Sequence, residues 1–445
     1  MLAALGLAAW MRDFTVDDAL ISVRYARHLA EGVGYRFNAS GPSTDGVTPL
    51  PWPFVLALFA HAPPLAVLAR AKAFGFVVWL AAAAGWGRAV GRAPASPVAK
   101  GAAIGLLALC LPVAAHAVSG METAVAMALA TFASIAEGTW SACVLAGLVA
   151  SLRPEMVVWA TVFAAGVGPL ARAVPRVLVA AAPFALCALV RTLAFGHAAP
   201  LAVSAKPSDL THGLVYAAAA ALVSLAPIAA CAPLALARTP DRATALAVAG
   251  AAHFATLIAV GGDWMPYARL AAPIAPSLLY AFVVASKRMS RPLAALRVAV
   301  AGALGVYVLV RAAPAGRHVG AHAAALIEAA RPALAGAHRI ASIDVGWPTA
   351  ASDADLVDLG GLTDPEFAAL PGGNTSKHVD PAVLLARGPD VILLYWRNVA
   401  GERRFRDSLE ARLAASELIS RHYEARAPLP SYGEDDAGYV VLVKR

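Results

Sequence analysis

Residues 13–52 read DFTVDDALISVRYARHLAEGVGYRFNASGPSTDGVTPLPW, a polar segment with two adjacent carboxylates, Asp17 and Asp18, set between apolar runs. A connecting loop between membrane helices has no need of that inventory. An acidic pair opening a short helix at a membrane edge points to chemistry performed there. The surrounding composition supplies the membrane: of 445 residues 60% are hydrophobic and 14% charged, with mean hydropathy +0.66, which is too apolar for a soluble globular chain. Repeated apolar runs of roughly 18 or more residues have the length that crosses ~30 Å of hydrocarbon.

Spans are expected at 65–87, 98–118, 120–136, 139–152, 154–171, 174–195, 213–237, 243–260, 268–286 and 294–311. The apolar stretch 1–11 is about half the length of a span; with it the pattern predicts about eleven helices. Arg153 and Pro154 cut an apolar stretch, so one bent span is the alternative to the pair 139–152 and 154–171. The reading is a polytopic α-helical membrane domain over 1–311, with a first outer loop at 12–64. Within that loop 50–61, bounded by prolines and too short to cross, is expected to lie along the surface. From 312 to 445 charge rises. Short β-prone runs at 339–345, 356–359, 391–396 and 439–443 alternate with helical stretches near 321–335 and 404–419, which predicts a small α/β domain.

The net charge of +8 does not indicate nucleic acid, because the basic residues sit in short loops. Arg88, Arg92 and Lys100, then Arg172 and Arg176, Arg238 and Arg242, and Lys287, Arg288, Arg291 and Arg297 fall on one side, which the positive-inside rule makes cytoplasmic. The acidic first loop and the C-terminal domain are then extracytoplasmic. Cys110, Cys143, Cys187 and Cys231 lie inside apolar runs without close spacing, so they read as small core residues rather than a metal or disulfide set.

A helix beginning at Asp17 stacks Asp17, Ile21, Arg24 and His28 on one face and Asp18, Ser22, Tyr25 and Leu29 on the next. The plain structural reading is that Thr15 caps the helix with Asp18 as its capping-box partner, and the acids complement the dipole. Other polar turns are expected at the same membrane face: Ser119 to Thr123 with Glu122, Arg153-Pro-Glu155, Lys206 with His197 and His212, and 261–266 with Asp263, Trp264 and the nearby Arg269. Ionisable groups at the edge of hydrocarbon are costly and line cavities, although each alone could snorkel or cap.

In order, DDALISVRYARHLAEGVGYRFN, TDGVTPLPW, VSGMETA, LRPE, PLAVSAK, GGDWMPYARLAAPIAP and DLGGLTDPE resemble the polyprenyl-phosphate-dependent GT-C glycosyltransferases, in particular their arabinofuranosyltransferase-like branch. The resemblance runs along nearly the whole chain. It implies inverting transfer of a sugar, pentose or hexose, from a polyprenyl-phosphate donor to a glycan, lipid or protein hydroxyl at the outer face of the cytoplasmic membrane, in bacterial cell-envelope assembly. Such a displacement needs a carboxylate to take the acceptor proton and a cation to hold the departing phosphate. The resemblance assigns the acidic pair to that base: Asp17 is favoured because it shares a face with Arg24, leaving Asp18 to orient the acceptor. Arg24, Lys206 and Arg269 are the candidates for the carrier phosphate. Glu122, Asp263 and Trp264, with Tyr25 and His28 beside the acidic pair, are candidates for the sugar and acceptor pocket.

No cofactor is required; a divalent cation, Mg²⁺ or Mn²⁺, is optional, with Asp18, Asp263 or Glu122 as its ligands. Adjacent carboxylates on a helix point about 100° apart, a poor arrangement for one ion. The chain departs from the family pattern in the proline before Trp52 and in the short first span. In the C-terminal domain Trp347, Tyr395 and Trp396 read mainly as core. Two other classes remain open: a lipid-linked sugar or solute transporter or flippase, which calls for pseudo-symmetric halves and midplane charges that the sequence lacks, and a noncatalytic envelope-assembly protein.

Overall fold

The computed structural model describes residues 2–224, 241–426 and 437–445. The chain is mostly helical, with a small sheet near its C-terminus. Among the described residues four helices are long and apolar enough to cross a membrane: Pro64–Arg92, Leu170–Phe195, Arg242–Ala259 and the run Arg291–Leu334. A fifth crossing is obtained if the bent pair Pro97–Ala108 and Leu111–Ala117 counts as one. The eleven helices expected are not all matched by spans among the described residues. Helices do occupy most other expected positions (Thr123–Ile135, Thr139–Leu152, Met156–Gly166, Leu210–Val223 and Ala272–Ala285), but none reaches 18 residues. At 1.5 Å per residue a 14-residue helix such as Thr139–Leu152 extends roughly 21 Å, short of the ~30 Å hydrocarbon layer. The expected span 213–237, with Cys231 and Arg238, lies partly outside the described residues.

Local chemistry sets the helix ends. Asp209, Asp241 and Ser96 accept backbone N–H groups from the first turns of Leu210–Val223, Arg242–Ala259 and Pro97–Ala108. The expected span 98–118 breaks by 54° after Ala108, where Pro112 has no N–H to return to the Ala108 carbonyl. Arg153 is extended at φ −134° and ψ 94°, as a residue before proline prefers. Thr139–Leu152 and Met156–Gly166 are therefore separate helices rather than one bent span.

By its contacts the chain divides into two compact units. The first, Met1–Thr15, Arg70–Val190 and Ser208–His318, is helical. Its helices approach closely at glycines: a Cβ on Gly147 would sit 2.8 Å from the Ala180 carbonyl oxygen, and one on Gly213 2.3 Å from that of Ile258. Arg176 folds back to donate to the carbonyls of Ala164, Ala165, Gly168 and Pro169, closing the end of Met156–Gly166. Cys110, Cys143 and Cys187 are buried.

The second unit, Val16–Ala69, Arg191–Pro207 and Val319–Arg445, joins the first outer loop to the C-terminal domain. The contact pattern thus divides the chain differently from a boundary drawn at 311, because the polar loop has its partners in the polar C-terminal sequence. Among the described residues six strands form one sheet: β1 (Arg339–Ser342), β2 (Asp355–Asp358), β3 (Val391–Val399), β4 (Glu402–Phe405), β5 (Tyr423–Ala425) and β6 (Ala437–Lys444). The order is β2-β1-β3-β6-β5, parallel among the first three and antiparallel thereafter, with β4 paired to β3. Ile392 and Leu394 of β3, Val357 and Leu442 pack with Phe367, Leu384, Leu409 and Leu413 in one core. The stretch 404–419 is not one helix. Ala400 (φ 54°) and Gly401 (φ 88°) make the two-residue turn that pairs β4 with β3, and the helices Ser408–Ala414 and Glu417–His422 follow. The surface segment 50–61 contains only a short helix, Trp52–Ala57, with Phe54 and Leu58 exposed. Trp347 and Trp396 are buried.

Candidate functional site

The acidic pair opens the helix Asp17–Ala30 as expected, but Thr15 does not cap it. Val16 stands at the N-cap without a side-chain bond, and the Thr15 hydroxyl donates to the Ser119 carbonyl at 2.8 Å. The two carboxylates have different surroundings. Asp17 accepts three backbone N–H groups, from Val345 (2.9 Å), Gly346 (2.9 Å) and Trp347 (2.7 Å). Burial, then the nearby charge of Asp344, push its carboxyl up to about 8; the Gly346 and Trp347 amides oppose the rise, and Asp18 adds to it. The Asp18 carboxylate carries no hydrogen bond or ion pair among the described residues and is part-exposed.

Arg24 does share a face with Asp17, and that face is buried against the C-terminal part of the same unit. Its Nε donates to Phe37 O at 2.6 Å and Nη2 to Ala354 O at 2.8 Å, and burial lowers its pKa to about 10. Its Nε and Nη2 are thus spent on carbonyls rather than presented to a phosphate. Tyr25 is also a fastener: its hydroxyl meets the Thr44 side chain at 2.8 Å and the Thr44 carbonyl at 2.9 Å, and accepts the Gly46 amide at 3.0 Å. His28 bonds the Arg36 carbonyl at 2.8 Å, and burial lowers its pKa. The loop after Gly46 is anchored by a pair not singled out from the sequence. Arg191 donates to Asp45 at 2.7 Å, with side-chain exposures of only 3% and 0%. A second arginine, after Arg176, in the apolar run 174–195 was the available signal.

The DLGGLTDPE motif is a turn built on one carboxylate. Asp358 accepts the amides of Gly360, Gly361 and Thr363 and the Thr363 hydroxyl, and burial pushes it up to about 6. Gly361 needs its φ of 75°, and a Cβ there would meet Ala368 N at 2.3 Å. Lys206 is part-exposed, and its ammonium has no partner among the described residues. Its neighbours Ser204 and Pro207 line an open groove of 410 Å³ walled by Leu201, Pro365 and Leu370.

In the helical unit Glu122 is fully buried and pairs with Arg153 at 2.9 Å, and Arg153 also holds Glu155 at 2.7 Å. Asp263 pairs with Arg269 at 2.8 Å. Arg269 reaches Met121 Sδ at 3.7 Å, and the His116 ring contacts the Pro266 carbonyl at 3.3 Å, so the VSGMETA and GGDWMPYAR turns meet. Four residues of the latter have positive φ: Gly261, Gly262, Tyr267 (59°) and Ala268 (46°). The last two store backbone strain on the order of 1–3 kcal/mol each, a feature that clusters at functional sites. Trp264 is 71% exposed on one side and stacked on His212 at 4.1 Å on the other, which leaves an indole face open. No group of three metal-binding side chains occurs among the described residues.

A family described as "Domain of unknown function (DUF8728)" matches residues 312–442, less than a third of the chain. No curated protein matches, and no solved structure does.

Proposed function

We propose that this chain is a polytopic membrane glycosyltransferase that moves a sugar from a polyprenyl-phosphate carrier to an acceptor hydroxyl with inversion, at the extracytoplasmic face. What supports the reading is the division of labour in the acidic pair: on one helix, one carboxylate is buried under three amides and its neighbour has no hydrogen bond or ion pair among the described residues. The sequence favours Asp17 as base; the geometry favours Asp18. A general base needs a lone pair open to the acceptor proton, and both oxygens of Asp17 already accept hydrogen bonds. In the reaction Asp18 takes the proton from the acceptor oxygen as that oxygen bonds the anomeric carbon, and the bond to the carrier phosphate breaks with its electron pair. A phosphate leaves without a general acid.

With Arg24 engaged, Lys206 is the cation assigned to the phosphate, because its ammonium has no partner among the described residues; Arg269 is itself held by Asp263 at 2.8 Å. Within the helical unit the exposed indole of Trp264 offers a stacking surface for a sugar ring, while the buried pairs of Glu122 and Asp263 hold the turns beside it. Tyr25 and His28 act by fixing the loop. A divalent cation stays optional, with Asp18 as its candidate ligand. Transfer assayed in membranes with radiolabelled polyprenyl-phosphate sugars tests the reading: product from wild type, lost in Asp18→Asn and reduced in Lys206→Ala, is the expected result. Undiminished transfer by Asp18→Asn contradicts the base assignment.

A further inference from the structure

The helix Asp17–Ala30 and the residues Asn38 and Ser40 of the first loop end on the C-terminal domain, at the 345–347 amides and at one edge of its sheet. Strand β2 is terminal in the order β2-β1-β3-β6-β5. An edge strand presents unpaired backbone groups and has to be covered. Asn38 supplies the missing strand with its side chain: Nδ2 donates to Leu356 O and Oδ1 accepts Leu356 N, both at 2.8 Å. Beside it Ser40 bonds Asp355, Arg27 pairs with Asp353 at 3.3 Å, and Arg24 takes the Ala354 carbonyl. Asp17 fills the amides of 345–347. That seat has no room to spare, because a Cβ on Gly346 would lie 2.1 Å from the Asp17 carbonyl oxygen and 2.9 Å from Oδ1.

Behind the seat the domain is stiffened. Asp344, next to Val345, accepts the Tyr439 hydroxyl at 2.7 Å and pairs with Arg406 at 2.9 Å. Arg406 also holds Asp407 and lies 4.5 Å over the Tyr395 ring. The residues that follow Asp344 therefore have a fixed position from which to hold the helix.

We propose that the C-terminal domain, a domain of unassigned role, is a clamp for the first loop. Asp17 is its latch and a positioning residue for Asp18, and Asn38 is its edge-strand closure. The clamp itself is independent of the chemistry; only the effect on Asp18 rests on the transferase reading. In the clamp the adjacent acids divide two tasks: one seats the helix and the other faces the acceptor.

The test uses the full chain in lipid nanodiscs, with hydrogen exchange read by mass spectrometry and transfer kinetics read beside it. Gly346→Ala displaces the latch while keeping both acids; Asp17→Asn turns one accepting oxygen into a donor facing donors; Asn38→Ala opens only the edge. Each is expected to raise exchange across 345–347 or at Leu356 at least tenfold while β3 and β6 stay protected. Asp18→Asn is expected to keep the wild-type pattern. Gly346→Ala and Asp17→Asn should lower kcat ten- to a hundredfold with donor KM within twofold, and Asp17→Glu should recover part of the loss.

Wild-type exchange in both Asp17→Asn and Asn38→Ala overturns the clamp. If Gly346→Ala exposes β3 as well, those two milder variants decide the matter. Raised exchange with unchanged kcat overturns the positioning role. A wild type that turns over no donor while the exchange pattern holds removes the transferase reading, and with it the effect on Asp18, but leaves the clamp standing.

Discussion

Replacing Asp45 with alanine should free the TDGVTP loop. Arg191 and Asp45 are joined at 2.7 Å with side chains 3% and 0% exposed, so the variant strands a guanidinium in a dry site. Removing one partner of a buried pair costs about 3–5 kcal/mol. Arg191 keeps its bonds to the carbonyls of Val47 and Thr48, which places the expected loss near the low end, about 3 kcal/mol. At 1.4 kcal/mol per decade that is on the order of a hundredfold in the local opening equilibrium. Two amides report it: Gly46, bonded to the Tyr25 hydroxyl at 3.0 Å, and Leu201, bonded to the Asp45 carbonyl at 3.3 Å. Hydrogen exchange of these amides should accelerate by that factor in Asp45→Ala. In the double variant Asp45→Leu with Arg191→Met it should return close to wild type, because an apolar pair carries no desolvation cost. Acceleration below about threefold in the single variant, or a double variant as open as the single, refutes the reasoning.

Gly46→Ala should destabilise the second unit by about 1–3 kcal/mol in thermal unfolding, as overpacking does, because its Cβ would lie 2.6 Å from Thr363 Cγ2 and 2.8 Å from Tyr25 Oη. Adding Thr363→Ser, which removes that methyl and keeps the hydroxyl on Asp358, should recover part of the loss. In the helical unit Arg153→Met leaves Glu122 and Glu155 without their cation and should cost about 3–5 kcal/mol, while Glu122→Gln, which keeps an acceptor for Arg153, should cost less; chemical denaturation in detergent separates them. Burial pushes Glu410 up to about 8, with Arg406 opposing and Asp344 adding to the rise, and Asp17 also stands near 8. A carboxyl whose pKa rises on folding contributes stability that is complete below its unfolded pKa and lost as pH rises through the folded one. The unfolding temperature of the second unit should therefore fall as pH rises from about 4.5 to about 8 and level off above that. Glu410→Gln should flatten that fall, and an equally steep fall in the variant contradicts the assignment.

The chemistry of the sequence located more than its geometry. The helix Asp17–Ala30, the strands near 339, 356, 391 and 439, and the polar turns around Glu122, Arg153 and Asp263 were all legible, because each rests on local periodicity or on a charge out of place in an apolar run. That Asp17 and Arg24 share a face was legible too; what the face meets was not. Its partners are backbone groups of Val345, Gly346, Trp347 and Ala354, which leave no mark on side-chain composition. The same holds for Asn38 on β2. The hairpin at Ala400-Gly401 was hidden because Ala400 in a left-handed conformation carries no turn signature, and the helical residues after it absorbed β4. Arg191 was visible as a charge inside an apolar run but had no partner assigned, since Asp45 lies far away in sequence.

Transfer from a panel of radiolabelled polyprenyl-phosphate sugars, by membranes carrying wild type, Asp17→Asn or Asp18→Asn, tests the central claim most directly. Product is expected from wild type, none from Asp18→Asn, and a slowed but measurable rate from Asp17→Asn. Full activity in Asp18→Asn with none in Asp17→Asn would contradict it, returning the base to the carboxylate that the three amides hold.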